Sequence, residues 1–211
     1  MRKFITAIIF LTITFNLTAQ TFQKQTNESA ENFVKRIYEI TELPHPVIVT
    51  KEWDTTKPVI ICIVGFSAEQ TSGGYIGYIL TPTKDNFYQQ TVIDTFWQGG
   101  GASSNEITSI FFANTDKDKQ REIIVMTTAV SRSPRFADNS VVGNYYESYV
   151  YDNFDLTNPP KQLTELKKMS ELFQEFDGKI YSAKTGKFLR AEKAKYKTVK
   201  SIRQKLKLLG Y

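Results

Sequence analysis

The chain has 211 residues, 27 Lys and Arg against 22 Asp and Glu, one His and one Cys. This length buries a sizeable core, a lone cysteine excludes an internal disulfide framework, and a lone histidine excludes a multi-histidine metal centre. The net charge of +5 conceals an asymmetry. Residues 21–160 carry 11 basic and 17 acidic side chains, and residues 161–211 carry 14 and 5, so an acidic body bears a basic tail.

Residues 1–19 begin with cationic Met1-Arg2-Lys3, continue through an apolar run from Phe4 to Phe15, and end polar at Asn16-Leu17-Thr18-Ala19. That order is the pattern of a cleavable secretory signal, and the apolar run is too short for a comfortable membrane span. The mature chain is expected to start near Gln20 and to be secreted or periplasmic. No later stretch is apolar and long enough to cross a bilayer as a helix.

Phe33, Ile37 and Ile40 recur at helical spacing among Glu31, Lys35, Arg36 and Glu39, which predicts a helix from Ser29 to Thr41, before Pro44. The period then shortens. Residues 58–66, 75–80, 88–97, 107–113, 123–130 and 145–151 are rich in β-branched and aromatic types and are separated by turn-forming clusters. Among those turns is Gly99-Gly100-Gly101, which lacks the Lys-Ser/Thr continuation of a phosphate loop. The run from Pro58 to Phe66 is almost wholly apolar, as expected of a strand covered on both faces, and it gives Cys62 a buried, inert role.

After Pro159-Pro160 the spacing of Leu163, Leu166, Met169, Leu172, Phe173 and Phe176 predicts a helix ending near Gly178. Residues 179–182 and 187–190 can pair as a small hairpin. A last helix follows, with Val199, Ile202, Leu206 and Leu209 on one stripe, Thr198 as its cap and Gly210 as its stop. The expected architecture is therefore α+β, a mainly antiparallel sheet of about six strands with one N-terminal and two C-terminal helices. Residues 20–160 form the acidic β-rich body, and residues 161–211 pack on it as a basic helical segment.

One constellation carries chemistry. Asn114, Asp116 and Asp118 alternate between two apolar runs and are followed four residues later by Glu122; alternate side chains of a tight loop can turn their oxygens to one centre, and a carbonyl at Gln120 can supply one more. The same residues can instead form a solvated hairpin whose aspartates bond their own backbone. Residues 111–125 resemble the calcium loops of FG-GAP and related propeller repeats, Asp-x-Asp-x-Asp-Gly-x-x-Asp. They depart from that pattern at Asn114, in place of a carboxylate, and at Lys119, in place of glycine. The resemblance implies calcium held by these five residues, at the weak end of the affinity range because Lys117, Lys119 and Arg121 are close by.

No catalytic motif emerges. His45 lies between two prolines without a partner histidine, and Gly65-Phe66-Ser67-Ala68-Glu69 is not a nucleophile elbow. The leading reading is an exported, non-enzymatic binding or interaction protein, for a protein partner or an envelope or carbohydrate ligand, with a calcium loop. The alternative is a carbohydrate- or envelope-directed hydrolase using scattered carboxylates such as Asp94 and Glu106, with exposed aromatics (Tyr75, Tyr78, Trp97, Tyr145, Tyr146) as its platform. Export argues against nucleic acid as the partner of the basic tail.

Overall fold

A computed structural model of the chain describes residues 20–68, 72–97, 102–131, 134–136 and 139–211. Side chains are described for all of these except 67–68, 72, 97, 102–105, 131 and 134–136. Residues 1–19, where an export signal is expected, residues 99–101 and the Trp97 side chain lie outside the described residues.

Strand β3 (Val59–Ala68) sets the layering. Its side chains alternate between two faces, and both faces are apolar. Val59, Ile61 and Ile63 enter one core, while Ile60, Cys62 and Val64 enter another. The second core lies under helix α1 (Ala30–Ile37), where Phe33 and Val34 are fully buried. Ser29 caps that helix by accepting the Asn32 N–H at 3.1 Å. The helix stops at Ile37, short of Thr41, because Tyr38 leaves helical geometry and Glu39 adopts a φ of 54°.

Five strands form the first sheet, in the order β1 (Thr21–Gln23), β5 (Phe87–Trp97), β4 (Ser72–Pro82), β3, β2 (Ile48–Thr50). The second sheet follows the order β12 (Phe188–Glu192), β11 (Glu175–Ser182), β9 (Asn139–Asp152), β7 (Glu122–Ser131), β6 (Ala102–Ala113). Two short strands, β8 (Pro134–Phe136) and β10 (Thr164–Glu165), also pair with β9. All these named strand pairs are antiparallel.

The sheets meet across one apolar layer, in which Ile61, Ile79 and Ile93 from the first face Ile107, Ile123 and Tyr151 from the second. On the outer face of the second sheet, Phe111, Ile124 and Val150 are covered by Ile202 and Leu206 of helix α3 (Val199–Leu208). Thr198 caps α3 with a reciprocal Ser201 box. The order of layers is helix, sheet, sheet, helix. A strap joins the sheets: the Val92 N–H donates to Lys161 O and the Leu163 N–H to Val92 O, both at 2.9 Å, before the chain returns to β10.

This corrects the expected fold. There are two sheets and twelve strands among the described residues, not about six strands in one sheet, and the first of the two expected C-terminal helices shrinks to α2 (Lys167–Glu171). The helical spacing there is accidental, because Leu163, Phe173 and Phe176 enter three different apolar clusters. Residues 161–211 are not a mainly helical segment. They supply β10, β11 and β12 to the second sheet. No helix among the described residues is long and apolar enough to cross a membrane.

Candidate functional site

The loop from Asn114 to Arg121 joins β6 to β7, and its turns are built from its own side chains. Asp116 Oδ1 accepts the Asp118 N–H at 2.8 Å, and Asp118 Oδ1 accepts the Gln120 N–H at 2.6 Å. Asn114 Nδ2 donates to Asp118 O at 2.9 Å. Gln120 Nε2 donates to Phe154 O, which ties the loop to the segment after β9. The aspartates thus do the backbone work expected of a hairpin.

Part of the set does more. Glu122 opens β7, where β6 places Ala113 opposite it. On its other side Ile123 pairs with Tyr151 of β9, so the next rung sets Glu122 beside Asp152. One carboxylate oxygen from each of Asp116, Glu122 and Asp152 comes within 4.8 Å of the other two. The loop and two strand ends therefore converge three acids.

Each acid spends one oxygen locally and keeps the other. Glu122 Oε2 accepts from the Thr115 N–H and from Thr115 Oγ1, the latter at 2.7 Å. Asp152 Oδ1 accepts the Asn153 N–H, and Asp116 uses Oδ1 as above. Glu122 is 2% exposed, and its Oε1 is buried with no hydrogen-bond partner. A buried carboxylate oxygen without a partner is costly unless the group is protonated or meets a cation. Burial pushes the Glu122 carboxyl above its usual range, the Thr115 hydrogen bonds oppose this, and the charges of Asp116 and Asp152 add to it. At 4.8 Å each ionised pair repels by about 1 kcal/mol in water and about 3.5 kcal/mol at an effective dielectric near 20. A divalent cation among them reverses that sign.

The neighbouring cations compete less than their number implies. Arg121 is engaged at Nε and Nη2 by both carboxylate oxygens of Glu52, on the loop between β2 and β3. Lys117 and Lys119 are exposed. Beside the cluster lies an open cavity of about 900 Å³, lined by Trp53, Asp54, Asp118, Asp152 and Asp155 among others. Asp152 is shared by cluster and cavity, whereas Glu122 and Asp116 do not line the cavity.

Of the five residues singled out by the sequence, the fold brings Asp116 and Glu122 together. It commits Asp118 and Gln120 to loop hydrogen bonds, and it leaves Asn114 with a buried, unpartnered Oδ1. Asp152, thirty residues further on, completes the group. Its only sequence signal is its place as the last acid of an alternating strand.

The other candidates disperse. Asp94 Oδ2 accepts the Tyr151 hydroxyl at 2.9 Å in the first sheet, while Glu106 stands exposed on β6 of the second. Tyr78 stacks on Tyr38 on the α1 side, Tyr75 packs against the inter-sheet layer, Tyr145 packs on Phe176, and Lys197 lies over the Tyr146 ring. These tyrosines do not share a cleft. His45 is half-buried, with Nδ1 at 2.8 Å from Pro46 O. Cys62 is buried, and burial pushes its thiol up.

Comparison with protein-family models, with curated proteins and with solved structures finds no match to this chain.

Proposed function

We propose that the chain is an exported, non-catalytic binding protein that holds one calcium ion between Asp116, Glu122 and Asp152. The observation that carries this reading is the buried, unpartnered Oε1 of Glu122 in a group of three carboxylates. Calcium takes six to eight oxygens in flexible geometry, so three carboxylates with water and backbone carbonyls suit it better than they suit magnesium's tight octahedron. The ion clips the β6–β7 loop to the end of β9 and stiffens one wall of the adjoining cavity. That cavity, with Trp53 among acidic and amide groups, is where an envelope or carbohydrate ligand meets the protein.

Burial also favours ion holding over hydrolysis. A glycosidic acid must reach the leaving oxygen from a cleft wall, and Glu122 lines no part of the cavity. The test is thermal unfolding of the mature chain with and without calcium. At ten times the dissociation constant the ion adds about 1.4 kcal/mol, or roughly 3–6 °C for a domain of this size. Asp152→Asn removes the response and Asp118→Asn keeps it. An unchanged melting temperature at 10 mM calcium contradicts the proposal.

A further inference from the structure

The outer face of the second sheet is covered at one end only. Over β6, β7 and the late part of β9, helix α3 buries Phe111, Ile124 and Val150. Toward the other end, the register places Val142 of β9, Lys179 of β11 and Ala191 of β12 in one cross-strand row. The next row holds Ser140, Tyr181 and Phe188, with the Tyr181 and Phe188 rings edge to face at 5.9 Å. Alternation puts the partners of these rows on the opposite face: Val141 and Ile180 are 1% and 2% exposed, whereas Val142 is 52% and Phe188 51% exposed. Leu189, beside the register shift in β12, is 47% exposed. Apolar side chains standing this far out on adjacent strands gain nothing from water.

The unpaired charges on these rows and at the hairpin turn have one sign. Lys179 belongs to the first row, and Lys184 and Lys187 flank the hairpin turn. None of the three is ion-paired among the described residues. The local acids are spent, Glu192 on Arg190 at 2.8 Å and Asp177 on Lys197 at 2.7 Å.

We infer that this end of the second sheet, the β11–β12 hairpin with Val142, is a docking face for a bilayer surface rich in anionic phospholipid. Two chemistries meet there. Lysines gain from the negative surface potential, and Phe188, Leu189 and Val142 leave water for the headgroup–acyl boundary. A nucleic-acid strand would satisfy the lysines, but leucine and valine have no ring face on which a base could stack. The calcium cluster shares no residue with this face, so either proposal stands or fails without the other.

Vesicle co-sedimentation of the mature chain tests the inference, with phosphatidylglycerol–phosphatidylcholine mixtures set against phosphatidylcholine alone. The expected result is binding to the mixed vesicles, weakened by salt, and little binding to the neutral ones. The triple change Lys179→Gln, Lys184→Gln, Lys187→Gln weakens partitioning by about 100-fold, from roughly five-fold per lysine. Phe188→Ser also weakens it, with helix and sheet content unchanged by circular dichroism. The comparison Lys200→Gln, Lys205→Gln, Lys207→Gln on α3 removes equal charge and retains most of the binding. Equal losses in the two triple variants overturn the docking face in favour of diffuse charge attraction. No binding to anionic vesicles, or tighter binding of a single-stranded oligonucleotide through the same lysines, overturns it outright.

Discussion

Replacing Ile202 with alanine tests whether the basic tail is part of the fold. Ile202 is fully buried, in a cluster with Phe111, Ile124, Phe173 and Leu206. The change deletes three carbon atoms, about 2.4 kcal/mol of transfer free energy at roughly 0.8 kcal/mol each. A cavity term adds up to about 1.5 kcal/mol, because α3 is held at its cap by Thr198 and Ser201 and cannot fully collapse inward. The total of about 2.5–4 kcal/mol lowers the melting temperature by roughly 5–15 °C in a domain of this size. Leu208→Ala, three residues before Tyr211 and 83% exposed, is the matched control and leaves it within about 2 °C. Differential scanning calorimetry of both variants reads the difference directly. Equal, small shifts would mean that α3 is not docked, and the account of the outer face would be wrong.

Gly178→Ala puts a Cβ 2.4 Å from Val142 O and 2.7 Å from the Gly143 Cα across the β9–β11 pair, with the Phe176 ring also at 2.7 Å. Overpacking at so rigid a point costs about 2–3 kcal/mol, seen as an earlier urea midpoint. Cys62 resists a thiol reagent in the folded protein and reacts at once in denaturant, since it is 1% exposed and its thiol is pushed up by burial. Glu28→Gln has a pH signature. The Arg36 hydrogen bond holds the Glu28 carboxyl below its ordinary value, so its contribution is present above about pH 4.5 and vanishes as pH falls through the lowered value. Wild type and variant should therefore differ in melting temperature at pH 7 and converge near pH 2.

The sequence was most informative where one residue's neighbours in the chain decide its environment. The apolar run of β3 announced burial on two faces, and both cores around it are apolar. The cap of α3 and the stripe of Val199, Ile202 and Leu206 were equally plain, because these residues are near neighbours in the chain, whereas Leu209, expected on the same stripe, is 43% exposed. Five of the six expected strand runs fall inside long strands and the first begins one residue before β3, yet their division into two sheets was invisible. Nothing local distinguishes the inward face of β5 from that of β6. Helical spacing misled at Leu163, Phe173 and Phe176, because each is drawn to a different layer and tertiary packing overrides the period.

The candidate site shows the same limit. Asp116 and Glu122 were visible in one window, but the third acid arrives through strand pairing from Asp152, and no spacing rule connects positions so far apart. Asp118 looked like a ligand by alternation but lies outside the group of three carboxylates, and the side-chain amide of Gln120 donates to Phe154 O. The loop is thus both things its sequence offered, a self-bonded hairpin and two-thirds of an acidic cluster.

The most direct test of the central claim is calorimetric titration of the chain from Gln20 onward with calcium, beside the Glu122→Gln, Asp152→Asn and Asp118→Asn variants. The account predicts one calcium per chain, with a dissociation constant on the order of millimolar or tighter. Binding should be lost on changing Glu122 or Asp152 and kept on changing Asp118. Binding that survives Asp152→Asn but disappears with Asp118→Asn, or no binding at all to the wild-type chain, would contradict it.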